Sequence, residues 1–574
     1  MLRFSDCPKA YTRDQDKAAP PAETVARVKA VLAEKCAGVL AETRRVDTGR
    51  LGIPVFLSVC GPKAVEVMPT RKQMGKGASP EQAEASALME LVERFSYFTF
   101  WATPANFESL SWSSAEKRFP GRVMPVAQVL KSVDEDLPEA AAASILDLVR
   151  WRFARAYNAA AAREELVPLD WFKKLNEFNG SSAGNRLEES VLQGACELVE
   201  RHVSAVVDRT RPTLPSLDPE SFADPVLTDL CARFSRNGVE LLLKDMSLGL
   251  PAPTVGALAY DPKTFPGLSE IVFTAGTASS PVKAAIRAVT EVAQLAGDFE
   301  TGRVYEASGL PKFRSPGEFA WLRKGPCVAL AGLPDVEHPN ILNELTALTQ
   351  GLSRQGFSLY TVDTRHPDLD VPANYNFVPG FDFRERTPHK SLGLFVGRIL
   401  AEESTMEEGR AGLAALAQTY PDAHFLPFFR GRLALRADEP AEAAGFFAAA
   451  EPLQPAREEA ALCAFYQAYA LSRQGRWPET LPHIERALAL DDQVKEFFNL
   501  RGVARFKARD FEDAARDFEA VLALDSGSAA DLANLGLCHK FLGRTAEALD
   551  YLHAALELDP GLDWARPHYQ ELLG

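Results

Sequence analysis

The chain has 574 residues, 46% of them apolar and 9% aromatic, with a net charge of -15. This length exceeds what one ordinary hydrophobic core covers, so the composition predicts a multidomain globular protein. The acidic balance argues against free nucleic acid or an anionic membrane surface as the main partner.

Strands alternate with helices over the first two thirds of the chain. Predicted strands cover residues 53–61, 65–69, 239–246, 253–261, 269–277 and 357–364. Helical periodicity is strongest over residues 79–98, 187–208 and 281–296. Because several connections are short, we expect antiparallel strand pairs. The pattern predicts an α/β domain of the α+β kind over residues 1–390.

The C-terminal part carries an internal repeat. The segments "ALALD", "VLALD" and "ALELD" begin at residues 487, 521 and 555, which is a period of 34. This is the period of tetratricopeptide repeats, in which antiparallel helix pairs stack into a solenoid. Residues 428–455 resemble a degenerate pair of the same kind, and residues 411–420 a capping helix. We therefore predict an all-α repeat domain over residues 400–574.

The N-terminus and the cysteines bear on location. The first 13 residues contain no apolar segment of the signal-peptide type, and no uncharged apolar run of about 18 residues occurs. The 8 cysteines are scattered, without a C-x-x-C or a local Cys/His pair of the zinc-binding kind. We expect a cytoplasmic protein without a membrane span, in which the thiols are reduced and mostly buried.

The three periodic helices carry similar polar stripes at i, i+4 and i+7. Apolar neighbours on both sides predict that the stripes are enclosed, although a solvated face with pairs between acidic and basic residues is the alternative. The stripes are Ser86, Glu90 and Glu93 with Arg94 beside them; Gln193, Glu197 and Glu200 with Arg201; and Arg287, Glu291 and Gln294.

Carboxylates gathered in an enclosed site repel one another and lose hydration, so they need cations. Oxygen ligands without His or Cys suit Mg²⁺, which completes its shell from water and phosphate oxygens. The planar guanidinium group of an arginine can then hold two phosphate oxygens at once. Neither a P-loop nor a kinase motif occurs. The pattern predicts ATP held between helices by carboxylates and Mg²⁺.

Several segments resemble the signatures of the YcaO family. The resemblance covers roughly residues 15–385 and is specific through the combination of its motifs. These are "KAAPPAETVARV" (17–28), "GKGASPEQAEASALMELVERFSYF" (75–98), "FNGSSAGNRLEESVLQGACELVERHV" (178–203), "PVKAAIRAVTEVAQ" (281–294) and "VPGF" (378–381).

The resemblance implies ATP-dependent activation of a peptide backbone amide. Members of the family phosphorylate the amide oxygen, and loss of phosphate then gives an azoline ring or, with a sulfide donor, a thioamide. ADP and phosphate are the expected products of ATP. Phosphorylation matters because an amide oxygen is otherwise a poor leaving group.

The family motifs also imply roles for individual residues, while they assign no catalytic residue. Lys76 has two interpretations, facing phosphate or facing solvent. Asn179 and Asn185 are predicted to shape the turn into the second long helix. The residues implied to bind nucleotide are Lys17, Thr24, Ser86, Glu90, Gln193, Arg201 and Arg287. Those implied to bind Mg²⁺ are Glu90, Glu93, Glu189, Glu197 and Glu200.

Two departures from the family pattern bear on the reaction. Leu295 follows the third motif where an Arg is frequent, and the chain continues into helical repeats instead of ending in a P-x-P-x-P tail. The second departure argues against ring formation. The arrangement resembles members that assist methylthiolation of a small-subunit ribosomal protein.

The expected partners are proteins rather than nucleic acid or membrane. The first is a protein or peptide substrate, and the second is a sulfur donor or methylthiotransferase that docks on the repeats. Two alternatives remain open from the sequence: a noncatalytic nucleotide-binding adaptor, and a repeat region that serves to form a homodimer.

Overall fold

The computed structural model describes residues 2–47, 49–267, 269–296, 312–384, 389–525 and 527–574. The chain forms two compact units. Unit 1 comprises Met1–Asp136 and Arg150–Pro388, and unit 2 comprises Leu137–Val149 and His389–Gly574. Among the described residues, no helix has both the length and the apolar character that crossing a membrane requires.

Helices and strands alternate up to residue 377. The helices are α1 Pro21–Lys35, α2 Pro62–Val67, α3 Pro80–Ala102, α4 Trp112–Arg118, α5 Val126–Val133, α6 Glu139–Leu146, α7 Leu169–Asn176, α8 Leu187–Thr210, α9 Pro225–Arg236, α10 Pro281–Ala296 and α11 Ile341–Arg354. The strands are β1 Leu40–Arg45, β2 Val55–Cys60, β3 Lys72–Lys76, β4 Glu108–Leu110, β5 Trp151–Asn158, β6 Arg163–Pro168, β7 Ser181–Ala183, β8 Ser216–Leu217, β9 Glu240–Asp245, β10 Thr254–Tyr260, β11 Val272–Thr277, β12 Cys327–Val328, β13 Tyr360–Asp363 and β14 Ala373–Phe377.

Within the described part of unit 1, the strands form three sheets. The orders are β1-β2-β3, β11-β10-β9-β8-β12 and β4-β5-β13-β14-β7, with β6 paired to β5. The pairs along these orders are antiparallel except β8 with β12. Antiparallel pairing suits the short connections that the sequence contains.

Each of the three long helices of unit 1 packs closely against a strand at a glycine. A Cβ on Gly75 of β3 would collide with the backbone of α3, and a Cβ on Gly276 of β11 would collide with the backbone of α10. In α8 the glycine is on the helix itself, where a Cβ on Gly194 would meet Asn376 of β14. Close approach of helix and strand therefore depends on the missing side chain at all three places.

Unit 2 consists of helix pairs. Its helices are α6, α12 Leu392–Glu402, α13 Met406–Thr419, α14 Phe425–Arg436, α15 Pro440–Ala450, α16 Arg457–Arg473, α17 Trp477–Leu490, α18 Lys495–Lys507, α19 Phe511–Leu524, α20 Ala529–Phe541, α21 Thr545–Leu558 and α22 Arg566–Leu573. From α14 to α22 each helix packs against the next, and α6 packs against α12. Small residues such as Gly431 and Gly536 allow the close packing within pairs.

The predicted fold class, an α/β domain followed by all-α tetratricopeptide-like repeats, is confirmed. The three periodic helices appear as α3, α8 and α10, and residues 428–455 form the pair α14 and α15. The strand predicted over residues 65–69 is wrong, because those residues continue helix α2 or follow it. Its alternation of polar and apolar side chains is too short to distinguish the two structures.

Candidate functional site

The residues that the motifs assign to nucleotide or Mg²⁺ line one cavity of about 230 Å³ in unit 1. They come from the N-terminal segment and from α3, α8 and α10. Acidic side chains and cationic side chains therefore share one cavity. The residues are Lys17, Thr24, Ser86, Glu90, Glu93, Glu189, Gln193, Glu197, Glu200, Arg201 and Arg287.

Helix α3 brings Glu90 and Glu93 to the cavity one turn apart. Arg94 lies beside both, with nitrogen–oxygen distances of 3.7 Å to Glu90 and 3.3 Å to Glu93. The Arg94 guanidinium also lies over the Phe178 ring, 4.1 Å from its centroid. One guanidinium thus faces two carboxylates, so both can be ionised together only if a further cation is present.

Burial shifts the protonation of both α3 glutamates. It raises the pKa of Glu90 and raises the pKa of Glu93 to about 8. The charge of Glu197 adds to both shifts, whereas Arg94 opposes them. Without a metal ion, Glu93 therefore retains a proton at neutral pH.

Two glutamates of α8 are fixed by backbone N–H groups. Glu189 accepts a hydrogen bond from the Ala18 N–H at 2.8 Å, and Lys17 Nζ lies 3.9 Å from the same carboxylate. Glu200 accepts a hydrogen bond from the N–H of Thr277, the last residue of β11, at 2.9 Å. These bonds hold both carboxylates at the cavity wall.

Arginine nitrogens point at the cavity from α8 and α10. Arg287 Nη1 donates a hydrogen bond to Gln193 Oε1 at 3.0 Å. The Nε atoms of Arg201 and Arg287 are buried and have no hydrogen-bond partner within the part of the chain that the structure describes. Buried guanidinium donors of this kind suit phosphate oxygens.

Lys76 lines the cavity rather than facing solvent. It forms an ion pair with Glu291 of α10. Burial lowers the pKa of Lys76 to about 8, and the neighbouring charge of Arg287 adds to that shift. Glu291, which the motifs did not assign to the metal, therefore belongs to the same site as the partner of Lys76.

The N-terminal segment is held against α10. Lys283 Nζ donates hydrogen bonds to the carbonyl oxygens of Thr12 and Arg13, at 2.6 and 2.9 Å. Asp14, which the sequence did not single out, also lines the cavity. This attachment brings Lys17 to the α8 glutamates.

Asn185 has a role that its predicted place in a turn does not describe. Its Oδ1 accepts hydrogen bonds from Thr24 Oγ1 at 2.9 Å and from Arg27 at 2.7 Å, and its Nδ2 donates to Glu189 at 3.2 Å. Asn185 therefore links α1 to the first turn of α8. Its position before helix α8 predicted the turn, but only the fold shows the side-chain partners.

The donor set fits Mg²⁺ and a polyphosphate. The candidate metal ligands are carboxylates from α3 and α8, which are hard oxygen ligands, and no His or Cys lines the cavity among the described residues. Unpaired guanidinium nitrogens lie on the same wall. A metal ion would offset the burial and the repulsion from Glu197 that raise the pKa of Glu90 and Glu93.

Comparison with known families agrees with this chemistry. A family model described as YcaO cyclodehydratase, ATP- and Mg²⁺-binding, matches residues 74–382, which is more than half of the chain. The chain belongs to the YcaO family. A tetratricopeptide repeat model matches residues 465–529 and 499–563, in the region that follows the YcaO domain. ATP and Mg²⁺ are the cofactors of this domain, and the family supports an ATP-dependent enzyme.

Similar proteins include one of archaeal and one of bacterial origin. An uncharacterized protein of Methanothermobacter thermautotrophicus is 26% identical over 379 residues, or 62% of this chain and 92% of that protein. The ribosomal protein S12 methylthiotransferase accessory factor YcaO of Escherichia coli is 27% identical over 207 residues, or 33% of this chain and 35% of that protein.

One solved structure supports the fold of the YcaO domain. It is a heterocyclase in complex with substrate and cofactor, with a TM-score of 0.52 and 18% identity, and the match covers 67% of this chain and 54% of that one. At this identity the similarity concerns the fold.

Proposed function

We propose that this protein is an ATP- and Mg²⁺-dependent enzyme that activates a backbone amide of a protein or peptide by phosphorylating its oxygen. The activity gives a thioamide, or it serves an accessory role in the methylthiolation of a protein such as a small-subunit ribosomal protein. The supporting observation is that glutamates of α3 and α8 meet arginines of α8 and α10 in one cavity.

The proposed reaction has three steps. A sulfide nucleophile adds to the amide carbon, and the carbonyl electron pair moves to oxygen. That oxygen attacks the γ-phosphorus of ATP and displaces ADP. The carbon–oxygen bond then breaks, inorganic phosphate leaves, and loss of the S–H proton completes the carbon–sulfur double bond.

The residues of the cavity are suited to position this reaction. Bound Mg²⁺ would neutralise phosphate charge, with Glu90, Glu93, Glu189, Glu197 and Glu200 as its ligands. Arg201 and Arg287 would hold phosphate oxygens, and Lys17 and Thr24 would close the site from the N-terminal side. Phosphoryl transfer depends mainly on such positioning and on electrostatic stabilisation.

ATP turnover tests the site. We expect Glu90→Ala and Glu197→Ala each to lower phosphate release about 100-fold or more, because each removes a group that holds the transferring phosphate or its metal. Glu84→Ala is the matched control, since Glu84 lies on α3 but pairs with Lys29. Unchanged turnover in both site variants would exclude the proposed site.

The products test the reaction. Incubation with ATP, Mg²⁺, sulfide and candidate peptides should give ADP and phosphate, together with a peptide in which sulfur replaces one oxygen by mass spectrometry. AMP and pyrophosphate as the products would contradict amide phosphorylation by the γ-phosphate.

A second candidate is a noncatalytic adaptor that recruits partners through its repeats. The observation that favours it is the tetratricopeptide region, since such repeats commonly bind proteins. The name of the Escherichia coli relative, an accessory factor for a methylthiotransferase, suggests a methylthiotransferase or sulfur donor as the partner. ATP binding without phosphate release for any peptide would favour the adaptor.

The repeats could alternatively serve to form a homodimer. Sedimentation velocity separates these roles, because a dimer in the full chain would dissociate when residues 389–574 are removed. A monomeric full chain that captures a methylthiotransferase through residues 389–574 would support the docking role.

A further inference from the structure

Three side chains that commonly bind metals meet in unit 1, away from the glutamate cavity. Cys36 follows the last residue of α1, and His366 and Asp368 lie in the loop between β13 and β14. One ligand atom from each lies within 4.8 Å of the others. None of the three lines the glutamate cavity.

The surroundings hold this cluster from one side and leave it open on the other. Cys36 is buried, His366 is half-buried and Asp368 is exposed. The His366 ring stacks on Phe95 of α3 with centroids 5.0 Å apart. Cys36, Phe95 and Leu369 belong to one hydrophobic cluster. Packing therefore restrains the thiol and the imidazole, while water can reach the carboxylate.

We propose that Cys36, His366 and Asp368 form a Zn²⁺ site, with water as the fourth ligand. A thiolate, an imidazole and a carboxylate are the donors that Zn²⁺ takes, whereas Mg²⁺ avoids sulfur. Zinc bonds of about 2.0 to 2.3 Å in tetrahedral geometry place ligand atoms roughly 3.3 to 3.8 Å apart. The cluster therefore closes around the ion with side-chain movements of about an ångström.

The local hydrogen bonds and charges are compatible with a metal. Burial lowers the pKa of His366, so its ring is neutral and available at neutral pH. The Asp368 N–H donates to His366 Nδ1 at 3.2 Å. A metal on Nδ1 replaces this long hydrogen bond directly. A metal on Nε2 moves the ring proton to Nδ1, which then no longer accepts the bond. Burial raises the pKa of the Cys36 thiol, so metal binding must displace its proton.

Such a metal would fasten α1 to the β13–β14 loop. Helix α1 carries Thr24, which reaches the glutamate cavity, and Phe95 lies on the helix that carries Glu90 and Glu93. The zinc site would thus stabilise the two helices behind the nucleotide site without taking part in its chemistry.

Cobalt substitution tests the site in the full-length protein. Chelator-treated protein receives Co²⁺ with excess Mg²⁺ and ATP present to occupy the glutamate cavity. A cysteine ligand produces thiolate-to-cobalt charge-transfer absorption in the near ultraviolet. We expect this band in the wild type and in Cys60→Ser, since Cys60 is a buried thiol of the same hydrophobic cluster. Cys36→Ser should lack it, and added Zn²⁺ should remove it.

The other ligands are tested by affinity. Asp368→Asn keeps the thiol and changes an exposed side chain, so the fold is retained. Zinc binding should weaken about 100-fold or more in Asp368→Asn and in His366→Gln, because even partners outside the ligand shell contribute about 10- to 100-fold. A cobalt band that persists in Cys36→Ser, a wild type without the band, or unchanged zinc affinity in both other variants would overturn the proposal.

Discussion

Burial favours the protonated form of Glu93, so this side chain must lose a proton when it binds a metal ion. Its pKa is raised to about 8 by burial and by the charges of Glu197 and Glu90, against the opposing effect of Arg94. At pH 7 the metal-free side chain is therefore mostly protonated. A ligand carboxylate must be ionised to bind Mg²⁺, so metal binding and proton release are linked.

We predict that binding of Mg²⁺ with ATP releases protons at pH 7 and strengthens as the pH rises to about 8, above which it levels off. The sign follows from the raised pKa, because the proton competes with the metal only below that value. Calorimetry in two buffers with different ionisation enthalpies measures the released protons. Glu93→Gln should reduce the release.

Glu84→Gln is the control for this measurement. Glu84 is also on α3, but hydrogen bonds from Lys29 and Thr43 lower its pKa, so it is already ionised at pH 7. Equal proton release by the wild type and Glu93→Gln would show that Glu93 does not exchange its proton for the metal.

The helices α3 and α10 depend on glycine contacts for their distance from the strands. Arg287 lies on α10, and its position depends on how closely α10 packs against β11. At the contact, Gly276 approaches the backbone of Ala284 and Ala288. Backbone atoms cannot rotate away, so a methyl group there must displace the helix. Overpacking of this kind costs about 1 to 3 kcal/mol.

Gly276→Ala should therefore lower stability by about 1 to 3 kcal/mol and raise the KM for ATP. Chemical denaturation and ATP turnover measure the two effects. Gly332→Ala is the matched control, because among the described residues no atom beyond its two chain neighbours lies within 4 Å of a Cβ at that position. If Gly276→Ala binds ATP as the wild type does, Arg287 is not positioned through this contact.

The sequence predicts the long helices of the site better than the side-chain contacts between them and other segments. Helices α3, α8 and α10 were predicted because 16 to 24 residues of helical periodicity are unambiguous. Their recurring glutamates also predicted the stripes that line the cavity. The bonds of Asn185 to Thr24 and Arg27, and the pair of Lys76 with Glu291, join distant segments. No local pattern specifies such contacts.

At the scale of the molecule, the 34-residue period predicted the repeat helices, and the same period separates α18 from α20 in the structure. The sequence did not predict that Leu137–Val149 belongs to unit 2. A short apolar segment does not specify which helix it packs against. In α6 the residues Ala142, Ile145 and Leu146 are buried, and α6 packs against α12.

We predict that Leu146→Ala destabilises unit 2 although the residue lies between two parts of unit 1. Truncation of a buried leucine costs about 2 to 5 kcal/mol. Hydrogen exchange by mass spectrometry should show faster exchange in α12 and α13. Leu130→Ala in α5, a buried leucine of unit 1, should increase exchange in unit 1. Faster exchange confined to unit 1 in Leu146→Ala would contradict this assignment.

Helix α6 is synthesised long before the rest of unit 2. The chain leaves unit 1 after Asp136, returns at Arg150 and leaves again at His389. Helix α6 therefore emerges from the ribosome roughly 250 residues before α12, its packing partner. During that interval its apolar face is exposed to chaperones and to other nascent chains, so translation speed through this region becomes a determinant of yield.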